Sequence, residues 1–269
     1  MSMSKGNMEY LIENEKVVAF GISHSTQEME DALKNEVYDK LFDVREHLEI
    51  VQSLSDTGFD EAVIMERLFP SEDKEDWEIG EAYAQVYAET NLNSNIPWGI
   101  SRDIKKPKSS LPGADIVGIY KQTDDMFFLF GEIKTSSHNE YPPSVMYGKH
   151  GLKKQLEDLC ENKNITDKLV NYLAYRLKNS ELWSLYRNAF FNYMQSDGKK
   201  VHILGILVRD VEPRVDDLSA QTKKLERFAV DGRTIELVGI YVPLASIKKF
   251  PHIVSKERER RIASNVKKY

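Results

Sequence analysis

Two consecutive apolar runs carry charged side chains at positions where so hydrophobic a strand has little use for them. Asp115 lies in Gly113-Ala-Asp-Ile-Val-Gly-Ile-Tyr120, and Glu132 and Lys134 lie in Met126-Phe-Phe-Leu-Phe-Gly-Glu-Ile-Lys-Thr135. A charge buried without a partner is costly, so something must offset these three. A divalent cation facing a phosphate would do so, and the chemistry expected of the set is metal-dependent cleavage of a phosphodiester.

The elements that must position them follow from the residues between. Lys121-Gln-Thr-Asp-Asp125 is polar and turn-forming, which predicts an antiparallel hairpin. A loop centred between Thr123 and Asp124 sets Asp115 opposite Glu132, with β-carbons about 5 Å apart. Side chains alternate along a strand, so Glu132 and Lys134 share one face while Phe127, Leu129 and Ile133 anchor the other. Glu-x-Lys by itself carries little information, because Glu72-Asp-Lys74 and Glu161-Asn-Lys163 also occur in polar surroundings. The plainer alternative for the hairpin is a cross-strand ion pair with a tolerated lysine. Against it, Asp115 facing Glu132 is a like-charge pairing that favours an intervening cation.

Asp115 followed by Glu132-Ile-Lys134 on the next strand resembles the PD-(D/E)XK nuclease pattern, with Gly113-Ala114 in place of the usual proline before the aspartate. More narrowly, Gly-Ala-Asp-Ile-Val-Gly, Gly-Glu-Ile-Lys-Thr-Ser-Ser and the preceding Gly80-Glu81-Ala segment resemble the nuclease subunit of the Hachiman anti-phage defence system, over about residues 75 to 160. The resemblance implies an α/β fold with a restriction-endonuclease-like mixed sheet flanked by helices. It implies a DNA nuclease with little sequence preference, restrained by a helicase partner. Asp115 and Glu132 would coordinate Mg²⁺ or Mn²⁺, with the Ile133 carbonyl in the shell, and Lys134 would orient the attacking water. The alternatives are a DNA-binding or regulatory subunit that cuts nothing, and a restriction or repair nuclease.

A helix is expected from an N-cap at Ser71 to about Glu89, with Glu78, Glu81, Ala82, Gln85 and Glu89 on one face. By resemblance, a glutamate of this helix approaches the metal; Glu81 is the first choice and Glu78 the second. A second helix is expected around Leu152, Leu156 and Leu159, and the same resemblance makes Lys154 and Gln155 candidates for contact with the substrate. His138 and His150 match no zinc spacing and read as surface residues.

Charge is unevenly distributed. Residues 1–99 carry 7 Lys and Arg against 22 Asp and Glu, a net of −15; residues 100–269 carry 30 against 21, a net of +9. Basic surface, including Lys105-Lys106-Pro-Lys108 and Lys153-Lys154, suits phosphate binding, whereas the acidic portion suits a protein partner or restricts access. Three regions are expected: an acidic 1–70, a nuclease domain over 71–250 and a basic tail over 251–269 with little core material. Val17–Phe20 reads as a short strand, 26–54 as helix and 165–195 as a packed aromatic-rich helix pair. Val201–Val208 and Thr234–Val242 read as buried strands. A single cysteine, Cys160, excludes an internal disulfide, and with no apolar run near the roughly 20 residues of a membrane span the expected location is the cytoplasm.

Overall fold

The apolar runs pair into one mixed sheet of seven strands in the order β1-β2-β7-β6-β5-β4-β3. The computed structural model describes residues 2–14, 17–69, 72–98, 113–230 and 232–266. The strands are β1 (Asn7–Glu13), β2 (Val17–Ser23), β3 (Ser94–Asn95), β4 (Ile116–Gln122), β5 (Asp125–Ser136), β6 (Val201–Arg209) and β7 (Thr234–Tyr241). Contacts β2–β7, β7–β6 and β6–β5 are parallel, whereas β1–β2, β5–β4 and β4–β3 are antiparallel. Strand β6 is buried along its whole length, as a continuously apolar strand covered on both faces must be. The chain is therefore α/β, with a mixed sheet flanked by helices, as its alternating strand and helix patterns predict.

Helices α1 (Thr26–Lys34), α2 (Glu36–Leu41), α5 (Asp76–Asn91) and α10 (Phe250–Val266) cover one face, where Leu129, Ile133, Ile206 and Ile240 meet Ile79 and Tyr83. Helices α6 (Leu152–Glu161), α7 (Lys163–Leu177), α8 (Trp183–Gln195) and α9 (Asp216–Leu225) cover the other, where Phe128 and Phe130 meet Leu156, Tyr186 and Tyr193. The aromatic segment packs as the expected helix pair, with the Phe128 ring 5.3 Å from that of Tyr186.

Several boundaries differ from the sequence reading. Helix α5 begins at Asp76, where Glu75 and Glu78 form a reciprocal capping box; Ser71 lies outside the described residues. The helical pattern over 26–54 breaks into α1, α2 and α3 (Val44–Ser53), with α4 (Glu61–Leu68) following, because Asn35 departs from helical geometry and Asp43 turns left-handed at φ 48°. The acidic N-terminal region is not separate from the sheet, since β1 and β2 belong to it and β2 pairs with β7 through Val17–Ser23. Residues expected to form a tail instead build α10, whose Phe250 and Val254 are buried in the core beside α5. No helix among the described residues is long and apolar enough to cross a membrane.

Candidate active site

The β4–β5 hairpin has the register expected from its turn residues. Gln122 pairs with Asp125 around Thr123, which takes φ 54°, and Ile116 pairs with Gly131. Extending that ladder by one residue sets Asp115 against Glu132. The Asp115 carboxylate accepts the Ile133 N–H at 2.9 Å. The Lys134 ammonium donates to Glu132 Oε1 at 2.8 Å and stands 4.0 Å from Asp115 Oδ2. Two acids and one amine thus converge on the end of the hairpin. Glu132 is 2 % exposed, so its charge is held almost wholly by these neighbours.

Helix α5 brings a third acid. Glu81 lies beside Asp115, and burial followed by the Asp115 charge raises its carboxyl far above the ordinary range. Burial followed by Asp115 likewise raises Glu132, against the pull of Lys134. Three carboxylates around one ammonium cannot all ionise cheaply in a low-dielectric site, so the group holds a proton at neutral pH when no other cation is present.

The close seat of α5 depends on Gly80. A β-carbon there would lie 2.2 Å from Thr135 Oγ1 and 3.1 Å from Thr135 Cβ. Alanine is ordinarily better than glycine inside a helix by about 1 kcal/mol. Gly80→Ala should instead destabilise the chain by about 1–3 kcal/mol, because the helix must back away from a short β-branched side chain. Urea unfolding of Gly80→Ala, Thr135→Ala and the double variant checks this. The double variant should recover most of the loss, and a stabilised single variant would refute the close approach.

The remaining sequence candidates divide. Glu78 is committed to the α5 capping box and to Lys74 at 3.4 Å, so the second-choice glutamate lies outside the acidic group. Lys154 is exposed on α6 and paired with Asp158 at 2.7 Å, an i,i+4 surface pair. Gln155 is half-buried on α6, which covers the face to which Glu132 points, and its Oε1 is buried without a hydrogen-bond partner. His138 and His150 are exposed, and the Lys105–Lys108 cluster lies outside the described residues. Burial pushes the Cys160 thiol up to about 12, which leaves it inert.

Two supports were not visible in the sequence. Gln85 on α5 donates from Nε2 to the Asp115 carbonyl at 2.9 Å. Just past the site, beside Ser136 at the same end of β5, the wholly buried Arg209 pairs with the wholly buried Asp217 at 2.7 Å and donates to the carbonyls of His138 and Glu140. Tyr241 donates to the second Asp217 oxygen at 2.8 Å, and the Tyr141 ring lies under the guanidinium. This network ties the loop after the site strand to β6 and α9. An arginine closing so apolar a strand, with aspartate next at Asp210, was its one sequence signal.

The donors present suit a hard divalent cation. Carboxylate oxygens dominate the site, and Glu132 Oε2 is buried with no hydrogen-bond partner, an unused acceptor beside Asp115 and Glu81. Among the described residues, however, no group of three or more His, Cys, Asp or Glu is arranged as a ready-made metal cage. The acids meet pairwise through Asp115, and Lys134 holds part of the position. No family model and no curated protein matches this chain.

Proposed function

We propose that this chain is a cation-dependent nuclease of the PD-(D/E)XK type that hydrolyses DNA phosphodiesters with little sequence preference. Its setting would be cytoplasmic anti-phage defence beside a helicase that restrains it. The observation that carries the reading is the convergence of Asp115, Glu132 and Lys134 on one hairpin end, with a buried Glu132 oxygen left over. The basic balance of residues 100–269 supports a polyanionic substrate.

Bound Mg²⁺ or Mn²⁺ would supply Lewis-acid stabilisation of the phosphoryl charge and a more acidic water. Asp115, Glu132, Glu81 and the Ile133 carbonyl are the groups that would hold it. Asp115 is fixed by the Ile133 N–H, so its oxygens keep one orientation during turnover. The Lys134 ammonium, now on Glu132 at 2.8 Å, would donate to water or a phosphate oxygen if Glu132 held a cation. Gln155 Oε1, an acceptor without a partner, can orient a water from the α6 side. Glu81, whose carboxyl burial and Asp115 raise, would give up its proton to hold a cation beside Asp115.

A second reading is a DNA-binding subunit that keeps the fold but cuts nothing. The 2.8 Å Lys134–Glu132 pair favours it, because it already occupies the ammonium and one Glu132 oxygen. Plasmid and linear DNA incubated with Mg²⁺ or Mn²⁺, with the chain alone and with a copurifying helicase, separates the two. Cutting should appear and fall at least about 100-fold in Lys134→Ala. Cutting that survives Lys134→Ala would show the site to be misassigned. No cutting by the wild type in either setting would leave the non-cutting subunit.

A further inference from the structure

We infer that Gln85 is a positioning residue for the cation site, acting through the backbone of Asp115; the inference rests on the cation-site reading given above. Asp115 stands one residue before β4 begins at Ile116, so regular ladder hydrogen bonds do not hold it. Two contacts replace them. The Ile133 N–H holds the carboxylate at 2.9 Å, and the Gln85 amide holds the carbonyl at 2.9 Å. The first aims the side chain and the second fixes where the residue begins.

The chemistry of position 85 is specific. Its neighbours Ala84, Val86 and Tyr87 are buried apolar residues, and Gln85 is itself only 3 % exposed. An amide in such a place is costly unless its hydrogen bonds are met, so an aliphatic side chain would be the default there. Glutamine supplies an N–H donor without adding a fourth negative charge beside Glu81, Asp115 and Glu132. It also lies one helical turn after Glu81, on the same face of α5. One rigid helix therefore delivers Glu81 and anchors Asp115, and its depth is set by Gly80 against Thr135.

The test uses Mn²⁺ titrated calorimetrically into the full chain, with melting followed in EDTA. Gln85→Met keeps the length and removes the donor; Gln85→Asn keeps the amide but is one methylene short. Both should bind Mn²⁺ about tenfold or more weakly, as loss of an outer-shell partner does at metal sites. Gln221→Met, at a buried glutamine on α9 that is 1 % exposed, should leave Mn²⁺ affinity unchanged and serves as the control for lost packing. Wild-type Mn²⁺ affinity in Gln85→Met and Gln85→Asn, with only the EDTA melting point lowered, would reduce Gln85 to a structural role and overturn the inference. Wild-type chain that binds Mn²⁺ no better than Asp115→Asn would remove the cation site itself, which is a different failure.

Discussion

Glu132→Gln is expected to lower DNA cleavage by roughly 10³-fold and, without divalent cation, to make the protein more stable. The two effects have one cause. Glu132 is buried with Asp115 and Glu81 around a single ammonium, so the folded chain tolerates the uncharged form better than the charged one. Folded-state carboxyls raised in this way bind a proton more tightly than in the unfolded chain, where glutamate titrates near 4.3. Their contribution to stability is full below that unfolded value and is lost as pH rises through the raised folded values. Wild-type stability in EDTA should therefore decline from about pH 4.3 upward through neutrality. Glu132→Gln should flatten the decline and raise the melting temperature at pH 8 by about 2–4 °C, equivalent to about 1 kcal/mol. Glu81→Gln should do the same. Millimolar Mg²⁺ should restore wild-type stability at pH 8 by mass action, with little effect on Glu132→Gln. Calorimetric melts across pH 4 to 9 give the test, and a wild type whose stability rises with pH over this window would contradict the crowded-carboxylate site.

Asp217→Ala is expected to have the largest effect on folding. It would leave the Arg209 guanidinium, with no exposure to solvent, without its counter-charge, and would remove the carboxylate to which Tyr241 donates. Breaking a buried pair on one side costs about 3–5 kcal/mol, or a fall on the order of 10 °C in melting temperature. A buried pair of this kind is not in itself a source of net stability, since desolvating both charges offsets their attraction; burial raises the Asp217 carboxyl even beside Arg209. Hence Arg209→Met with Asp217→Leu should be far less damaging than Asp217→Ala alone. The double variant should keep the fold yet release the loop at His138–Tyr141, since the guanidinium no longer holds its carbonyls. Limited proteolysis should then cut that loop faster. A single variant as stable as wild type would show that solvent reaches Arg209, and an unchanged cleavage rate in the double variant would show that the loop is held by other contacts.

The hairpin and its three charged groups were legible in the sequence because they depend only on local rules. Two apolar runs, a polar turn and alternation along a strand are enough to bring Asp115 opposite Glu132 with Lys134 on the same side. The strands Val201–Arg209 and Thr234–Tyr241 were legible for the same reason, being short, apolar and bounded by turns. Strand β1 was not, because Asn7–Glu13 is an edge strand with mostly exposed side chains and owes its conformation to pairing with β2. Helix α10 was not, because its charged sequence hides a buried stripe of Phe250, Val254 and Glu257, the last held by Arg260 and Arg261.

Composition, hydropathy and turn chemistry by themselves determined that this chain folds as an α/β protein and that one hairpin gathers two acids and a lysine. Only the tertiary structure decided that Glu81, and not Glu78, joins them, that Gln85 holds Asp115 and that Arg209 ties down the following loop. The Gln85 and Arg209 contacts join residues 30 and 71 positions apart in sequence, and all lie between different elements. Periodicity reports which face of an element is buried, but not which neighbour it meets or how closely. The depth of α5 against β5, set where Gly80 meets Thr135, is a distance between elements, and it decides which glutamate reaches the site.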